Sequence, residues 1–392
     1  MRNCLYLLLL VGLICPTKVS SYNRSKKYNI YIERARQMLD SLYKYYGIPN
    51  SFLLRENYPF EKSDKVIYLA LQNQKTNEYS YLWPFSGTFS AVNALYCVTE
   101  DKYYFKLLNN KILVGLDAYF DDFRRPAAYA SYIIKAGNSD RFYDDNVWVG
   151  IDFTDLYLKT GKRKYEDKAK MIWHFIESGI DNRLGGELYW CEQKKESKNA
   201  CSNAPASVLA LKLFMATSDS LYFREGKELY GWTASHLKDD DDGLYYDNIS
   251  LNGHVDKTKY AYNSGQMLQA SVLLYRLTKD SAYLHETKRI AEACYRHFFF
   301  HKSNGNIILK GENVWFSAVM LRGFIELYNI DHQKKYIKAF RNTLDVAWNN
   351  ARDANGLFNC DYTGKVKDKE KWLLTQAAYV EMYARLAMLR LN

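Results

Sequence analysis

Beyond its first 21 residues the chain has no apolar run of the roughly 18 residues that a membrane span needs, so no transmembrane helix is expected there. Cysteine is sparse and unpatterned. Cys97, Cys191, Cys201, Cys294 and Cys360 form an odd set with no CxxC spacing, which argues against a disulfide framework or a zinc site. Cys191 and Cys201 are near enough in sequence to bridge one loop, and the rest read as buried thiols. Lys and Arg outnumber Asp and Glu to give a net charge of +10, yet no basic arm or stripe concentrates them. A solvated surface rather than a nucleic-acid partner follows. Neither a Gly-x-Ser-x-Gly elbow nor a phosphate-cradling Gly-Lys-Ser/Thr loop occurs, which counts against serine-hydrolase and P-loop chemistry. Asp239-Asp240-Asp241-Asp242-Gly243 fails as a calcium loop, because aligning Gly243 with the loop glycine puts Lys238 at the first ligand and Ile249 where the Glu belongs. His297 and His301 lack a zincin glutamate between them. No metal or other cofactor is expected.

Apolar and aromatic residues are plentiful. Of the 392 residues, 48% are hydrophobic and 16% aromatic, enough for a large packed core. Tyrosine is over-represented at 35, and its flat face with a hydroxyl suits contact with sugar rings or bases; a compositional bias that also enriches Lys, Asn and Ile is the alternative. Residues 1–21, with Arg2, the run Leu5–Ile14 and a small-residue site at Val19-Ser20-Ser21, form a secretory signal, so an exported protein is expected. Cys15 after Gly12-Leu13-Ile14 loosely resembles a lipoprotein box and leaves a lipid anchor there open. Residues 22–392 read as a single catalytic domain.

From about residue 28 two kinds of helical segment alternate. Charged amphipathic segments cover 29–46, 101–120, 162–179, 219–237, 280–299 and 332–350. Segments rich in small and apolar residues cover 88–99, 147–160, 206–217, 266–278, 314–329 and 377–390, each opening on a polar cluster. Six such pairs predict an all-α (α/α)6 barrel, with the apolar helices as an inner ring and the charged ones outside. An open solenoid is the alternative. Four glycine turns, at Gly186, Gly243, Gly305 and Gly356, each precede an alternating apolar run and lie between an outer and an inner segment. They predict short β-hairpins on the rim that also receives the polar openings.

The most informative opening is Tyr143-Asp144-Asp145-Asn146-Val147-Trp148, two adjacent carboxylates at a loop-to-helix junction. An N-cap plus a first-turn acid would explain them structurally. Two carboxylates are also what glycoside hydrolysis requires, and a separation of about 5 Å predicts retention of configuration. Neighbouring Cα atoms about 3.8 Å apart allow that separation and hardly the wider inverting one. Mutual repulsion and burial against aromatics must then raise one pKa above the other.

At the other openings, Trp83, Trp148, Tyr262 and Trp315 are placed to stack on sugars, with packing between helices the alternative for Trp148 and Trp315. Asn146, Asn203 and Asn263 offer donors and acceptors for hydroxyls. The expected partner is a polysaccharide, taken by a monomer.

These features resemble glycoside hydrolase family 76, the endo-acting α-1,6-mannanases. The resemblance rests on Tyr143-Asp144-Asp145-Asn146-x-Trp148, on Tyr262-Asn263-x-Gly265, on Lys310-Gly311 before an apolar helix bearing Arg322, and on the six-pair layout. It implies an (α/α)6 barrel and retaining hydrolysis of α-1,6-mannan backbones of the fungal cell-wall type. Asp144 matches the family's nucleophile and Asp145 its acid/base; no metal is implied. Other (α/α)6 activities, an unsaturated glucuronyl hydrolase or a polysaccharide lyase, and a non-catalytic glycan-binding protein are the competing readings. Asp152 stands where a small or apolar residue is expected.

Overall fold

The computed structural model describes residues 29–63, 65–67, 76–301 and 306–389; the signal expected over residues 1–21, with Cys15, lies outside them. Outer helix α1 (Ile30–Tyr46) precedes the first inner helix, α2 (Leu82–Thr99). The second outer position is filled by α3 (Lys102–Leu107), a π-helical turn (Leu108–Ile112) and α4 (Leu113–Leu116). Inner and outer helices then alternate as α5 (Tyr143–Thr160), α6 (Arg163–Glu177), α7 (Ala200–Thr217), α8 (Ser220–Leu237), α9 (Ala261–Thr278), α10 (Ser281–Phe298), α11 (Val314–Asp331), α12 (Lys334–Asn350) and α13 (Leu373–Ala387).

Each inner helix packs on the next, and α13 returns to α2, so the ring closes as an (α/α)6 barrel rather than an open array. Helix α1 lies against α13, where the Asn29 amide donates to the Ala387 carbonyl at 3.1 Å. Burial follows the sequence pattern. Outer helix α10 buries one stripe (Thr287, Ile290, Ala291, Cys294, Phe298), whereas every residue of α9 from Asn263 to Leu274 is buried. Small residues let the inner helices crowd. A Cβ on Gly265 would lie 2.5 Å from Met320 Cα, and one on Gly323 would lie 2.6 Å from the Gly265 carbonyl oxygen, so α9 and α11 meet backbone to backbone.

The link from each inner helix to the next outer one is nearly the same each time. Glu100, Gly161, Ser218, Lys279 and His332 take left-handed φ values between 54° and 67°. Thr99, Thr160, Thr217 and Thr278 each donate to the carbonyl four residues back and accept from the N–H two residues on. Asp101, Asp219 and Asp280 then cap the following outer helix. Such tight links make consecutive helices antiparallel neighbours and leave the longer connections to the opposite rim.

That rim carries the β-structure. Ser197–Asn199, Asn248–Ser250 and Val255–Asp256 form a three-stranded sheet, and Phe299–His301 pairs with Ile307–Leu309. The turns at Gly186, Gly243 and Gly356 close with single bridges (Ile180 to Leu188, Lys238 to Tyr245, Arg352 to Phe358) instead of full ladders. Their backbone groups are satisfied by the inner helices. Asn203 brackets Leu188 by both its N–H and C=O (2.8 and 2.9 Å), Gln376 brackets Phe358 likewise (2.8 and 2.9 Å), and Ser264 accepts from the Tyr245 N–H at 3.1 Å. Asn146 makes the same bracket on Tyr129 (2.8 and 2.9 Å). All four are the fourth residue of their helix. The polar openings and the glycine turns, two separate repeats in the sequence, are thus bonded to each other. Among the described residues no helix is long and apolar enough to cross a membrane.

Candidate active site

Helix α5 starts at Tyr143 behind Phe142, which contributes no side-chain cap. Asp144 and Asp145 are therefore its second and third residues, inside the first turn rather than at a junction. The other inner helices also begin early, α2 at 82 rather than 88 and α7 at 200 rather than 206, because their opening polar residues bond backward and Pro84 falls in the first turn, whereas Pro205 is accommodated as the sixth residue inside α7. The segment after the glycine turn at Gly186 is laced to this helix start. Tyr143 N–H donates to the Trp190 carbonyl at 2.9 Å, Glu192 N–H to the Arg141 carbonyl at 3.0 Å, and the buried Arg141 guanidinium pairs with Glu192 at 2.6 Å. Trp190 is thereby aimed at the acid pair.

The two carboxyls differ in their partners. Asp144 Oδ2 accepts from Trp190 Nε1 at 3.0 Å and from the Cys201 thiol at 3.4 Å, and its Oδ1 accepts from the Asp145 N–H at 2.9 Å. Burial outweighs these donors and pushes Asp144 up to about 6. The Asp145 carboxyl has no donor among the described residues, and burial, then the charge of Asp144, pushes it well above the usual carboxylate range. Each side chain keeps an exposed edge on the cleft while its base is enclosed by protein.

The cleft above them has a volume of about 550 Å³. One wall is aromatic: Trp315 meets Trp83 and Trp148 edge-on at 5.4 and 5.0 Å, and Tyr262 stacks on Phe316 at 4.1 Å. The indole N–H groups of Trp83 and Trp315 are buried without a hydrogen-bond partner among the described residues. The opposite side offers Asn199, Asn248 and a third acid, Asp247, which burial also raises. Among the described residues the lining has three aspartates and no lysine, arginine or histidine. A second hollow of about 600 Å³, at Lys65, Glu78, Tyr132 and Lys135, has one carboxylate and no acid pair.

Of the residues singled out in the sequence, Asp144, Asp145, Trp83, Trp148, Tyr262 and Trp315 all line this cleft. Asn146 and Asn203 do not: they are fully buried, with their amides committed to backbone groups. Asn263 is buried behind the wall, donating to Asp247 at 3.2 Å. Cys191 and Cys201 are free thiols, so the loop bridge between them does not form; Cys201 faces Asp144 instead. The acidic turn at Asp239–Asp242 is held by Lys259, which reaches Asp242 at 2.7 Å and Asp239 as well. Trp190 and Asp247 were not anticipated. Both stand four residues after a turn glycine, Gly186 and Gly243, and that shared offset is the signal that finds them.

Asp152 has its own setting, two turns along α5. The Ser90 hydroxyl and the Asn93 amide (2.9 Å) donate to it, and it faces Arg322. Arg322 forks onto Glu381 at 2.7 and 3.0 Å and Arg385 adds a bond at 2.6 Å. This buried network lies beneath Trp148, whose ring is 5.8 Å from the Arg322 guanidinium carbon.

Residues 55–390 match the family model "Glycosyl hydrolase family 76". A family 76 mannosidase from Bacteroides thetaiotaomicron VPI-5482 superimposes with a TM-score of 0.83 at 32% identity, over 92% of this chain and 98% of that one. A family 76 glycoside hydrolase from a bovine Bacteroides thetaiotaomicron strain gives a TM-score of 0.82 at 34% identity, covering 91% and 77%. The mannan endo-1,6-alpha-mannosidase DCW1 of Candida glabrata is 24% identical over 244 residues, 57% of this chain and 51% of that protein. The chain thus spans about half the length of the curated relatives it matches.

Proposed function

The chain belongs to glycosyl hydrolase family 76, and from that premise we propose that it is an endo-acting mannanase cleaving α-1,6-mannan backbones, of the fungal cell-wall type, with retention of configuration. The observation that carries this reading is the unequal hydrogen bonding of two adjacent acids. Asp144, with three donors, is the group that ionises first; Asp145, with none and with a negative neighbour, keeps its proton. Asp144 then attacks the anomeric carbon as Asp145 protonates the departing glycosidic oxygen. The resulting glycosyl ester on Asp144 is hydrolysed by a water whose proton returns to Asp145.

Trp83, Trp148 and Tyr262 supply faces for sugar rings. An enzyme acting on uronates must neutralise a substrate carboxylate. A lining with three aspartates and, among the described residues, no basic side chain disfavours a lyase or a glucuronyl hydrolase and suits a neutral sugar. The apolar segment at residues 5–14 supports action outside the cytoplasm.

The test is to digest a reduced-end-labelled α-1,6-mannan oligosaccharide and follow the first product by proton NMR. Release of the α-anomer ahead of mutarotation is expected. Release of the β-anomer would contradict the mechanism, and an uncut oligosaccharide would contradict the substrate.

A further inference from the structure

Asp144 owes one of its donors to a residue type seldom used for that purpose. Cys201, the second residue of α7, reaches across to α5 and places its thiol 3.4 Å from Asp144 Oδ2, beside the indole N–H of Trp190. The thiol is in turn hydrogen-bonded by the Tyr262 hydroxyl, whose ring is fixed by its stack on Phe316. A chain of donors therefore runs from the aromatic wall through sulfur to the carboxylate.

We propose that Cys201 is a positioning residue for the reaction: its thiol, oriented by Tyr262, anchors Asp144 Oδ2 and favours the ionised, attack-ready form of that carboxylate. This rests on the reading of Asp144 as nucleophile. Sulfur suits the place. Its weak S–H donor is cheap to desolvate, so it fills an apolar gap between two inner helices while holding the anion lightly enough to leave it reactive. Burial and the charge of Asp144 push the thiol well above its usual range, so it keeps its proton and never competes as a second anion. The titratable groups facing this pair are Asp145, Asp247 and Tyr262. Burial opposes ionisation of Asp144, which makes each neutral donor to it count.

The experiment compares wild type, Cys201→Ala and Cys201→Ser. First, the Asp144 carboxyl is titrated by carbon-13 NMR, assigned by its loss in Asp144→Asn. This readout needs no substrate. Cys201→Ala is expected to titrate at higher pH than wild type and Cys201→Ser to restore the midpoint, since serine keeps a donor. Second, on α-1,6-mannan, Cys201→Ala is expected to lose about tenfold in kcat/KM, the lower end for a hydrogen bond to a charged group, mostly in kcat, with its acidic limb moved to higher pH. An unchanged midpoint in Cys201→Ala would overturn the proposal. So would Cys201→Ser tracking Cys201→Ala, which would make the role one of packing, or a shifted midpoint without a change in kcat. A wild type inert on mannan would sink the substrate reading alone, because the NMR titration still decides the role of Cys201.

Discussion

Helix α5 carries two sets of acids, one half-buried at the cleft and one buried, about 11 Å apart along its axis. At its start, Asp144 and Asp145 have aromatic rings, amides and a thiol around them and, among the described residues, no cation. Two turns on, Asp152 belongs to a group in which Arg322 and Arg385 neutralise Glu381. Burial raises the acids in both places, but only the second set is given counter-charges. Although burial pushes Glu381 upward, the two guanidiniums overcome it and hold that carboxyl at about 2, where it never takes a proton under ordinary conditions. Asp144, with neutral donors only, stays near 6. The difference separates an acid that holds a barrel together from one that can exchange a proton in use. Neutral donors tune a carboxylate; guanidiniums bonded directly to it, as on Glu381, lock it.

That contrast breaks most visibly at the upper pair. Asp144→Asn and Asp145→Asn are each expected to lower mannan hydrolysis by on the order of 10³-fold or more while leaving the melting temperature in place. In the wild type, kcat/KM should fall below pH 6 as Asp144 gains a proton and fall again at high pH as Asp145 loses one. Retained turnover in either variant would remove the acid pair from the chemistry.

The lower set should fail the other way. Glu381→Gln strands the buried Arg322 guanidinium and the half-buried one of Arg385 and is expected to cost about 3–5 kcal/mol of stability, read by thermal melting, while turnover per folded molecule survives. The sign with pH follows from a folded value of about 2 below the ordinary 4.5: the gap to wild type is full above pH 4.5 and closes as pH falls toward 2. A gap that widened in acid would contradict the ion-pair reading.

Asn203→Ala sharpens the boundary between site and scaffold. Three backbone groups lose their bracket, so a loss of about 2 kcal/mol in stability is expected with KM unchanged. A raised KM with unaltered melting would return Asn203 to the substrate. The effect most dependent on pH belongs to Asp152→Asn. Because the folded Asp152 carboxyl lies near 6, above its ordinary 3.8, wild type gains on the variant below about pH 4 and loses that advantage as pH rises through 6, the reverse of Glu381. Melting both proteins from pH 4 to pH 7 checks it.

The alternation of charged and apolar segments carried the ring of helices into view, since periodicity reports which faces are buried. The helix starts were less legible. Asp144, Asn203 and Ser264 look like loop residues because their polarity is local, while the partners that admit them into a helix stand 15 to 46 positions away or across the barrel. For the same reason a buried bracket such as Asn146 and a cleft residue such as Asn199 are indistinguishable as letters. Asp152 had no reading at all, because Arg322 and Glu381 reach it only once three inner helices meet. The acid pair was legible since its chemistry needs adjacency and nothing distant to define it.

The bond from Asn29 to the Ala387 carbonyl joins residues that are 358 positions apart in the chain. A barrel whose first outer helix packs on its last inner one is a closed loop of segments, and the chain order that builds it is one of several cyclic orders giving the same packing. Joining residue 29 to residue 387 through a short linker and reopening the chain in the exposed stretch at Asn182-Arg183 would preserve every contact between inner helices. Such a circular permutant, with α7 first and α6 last, would carry the same acid pair on the same wall.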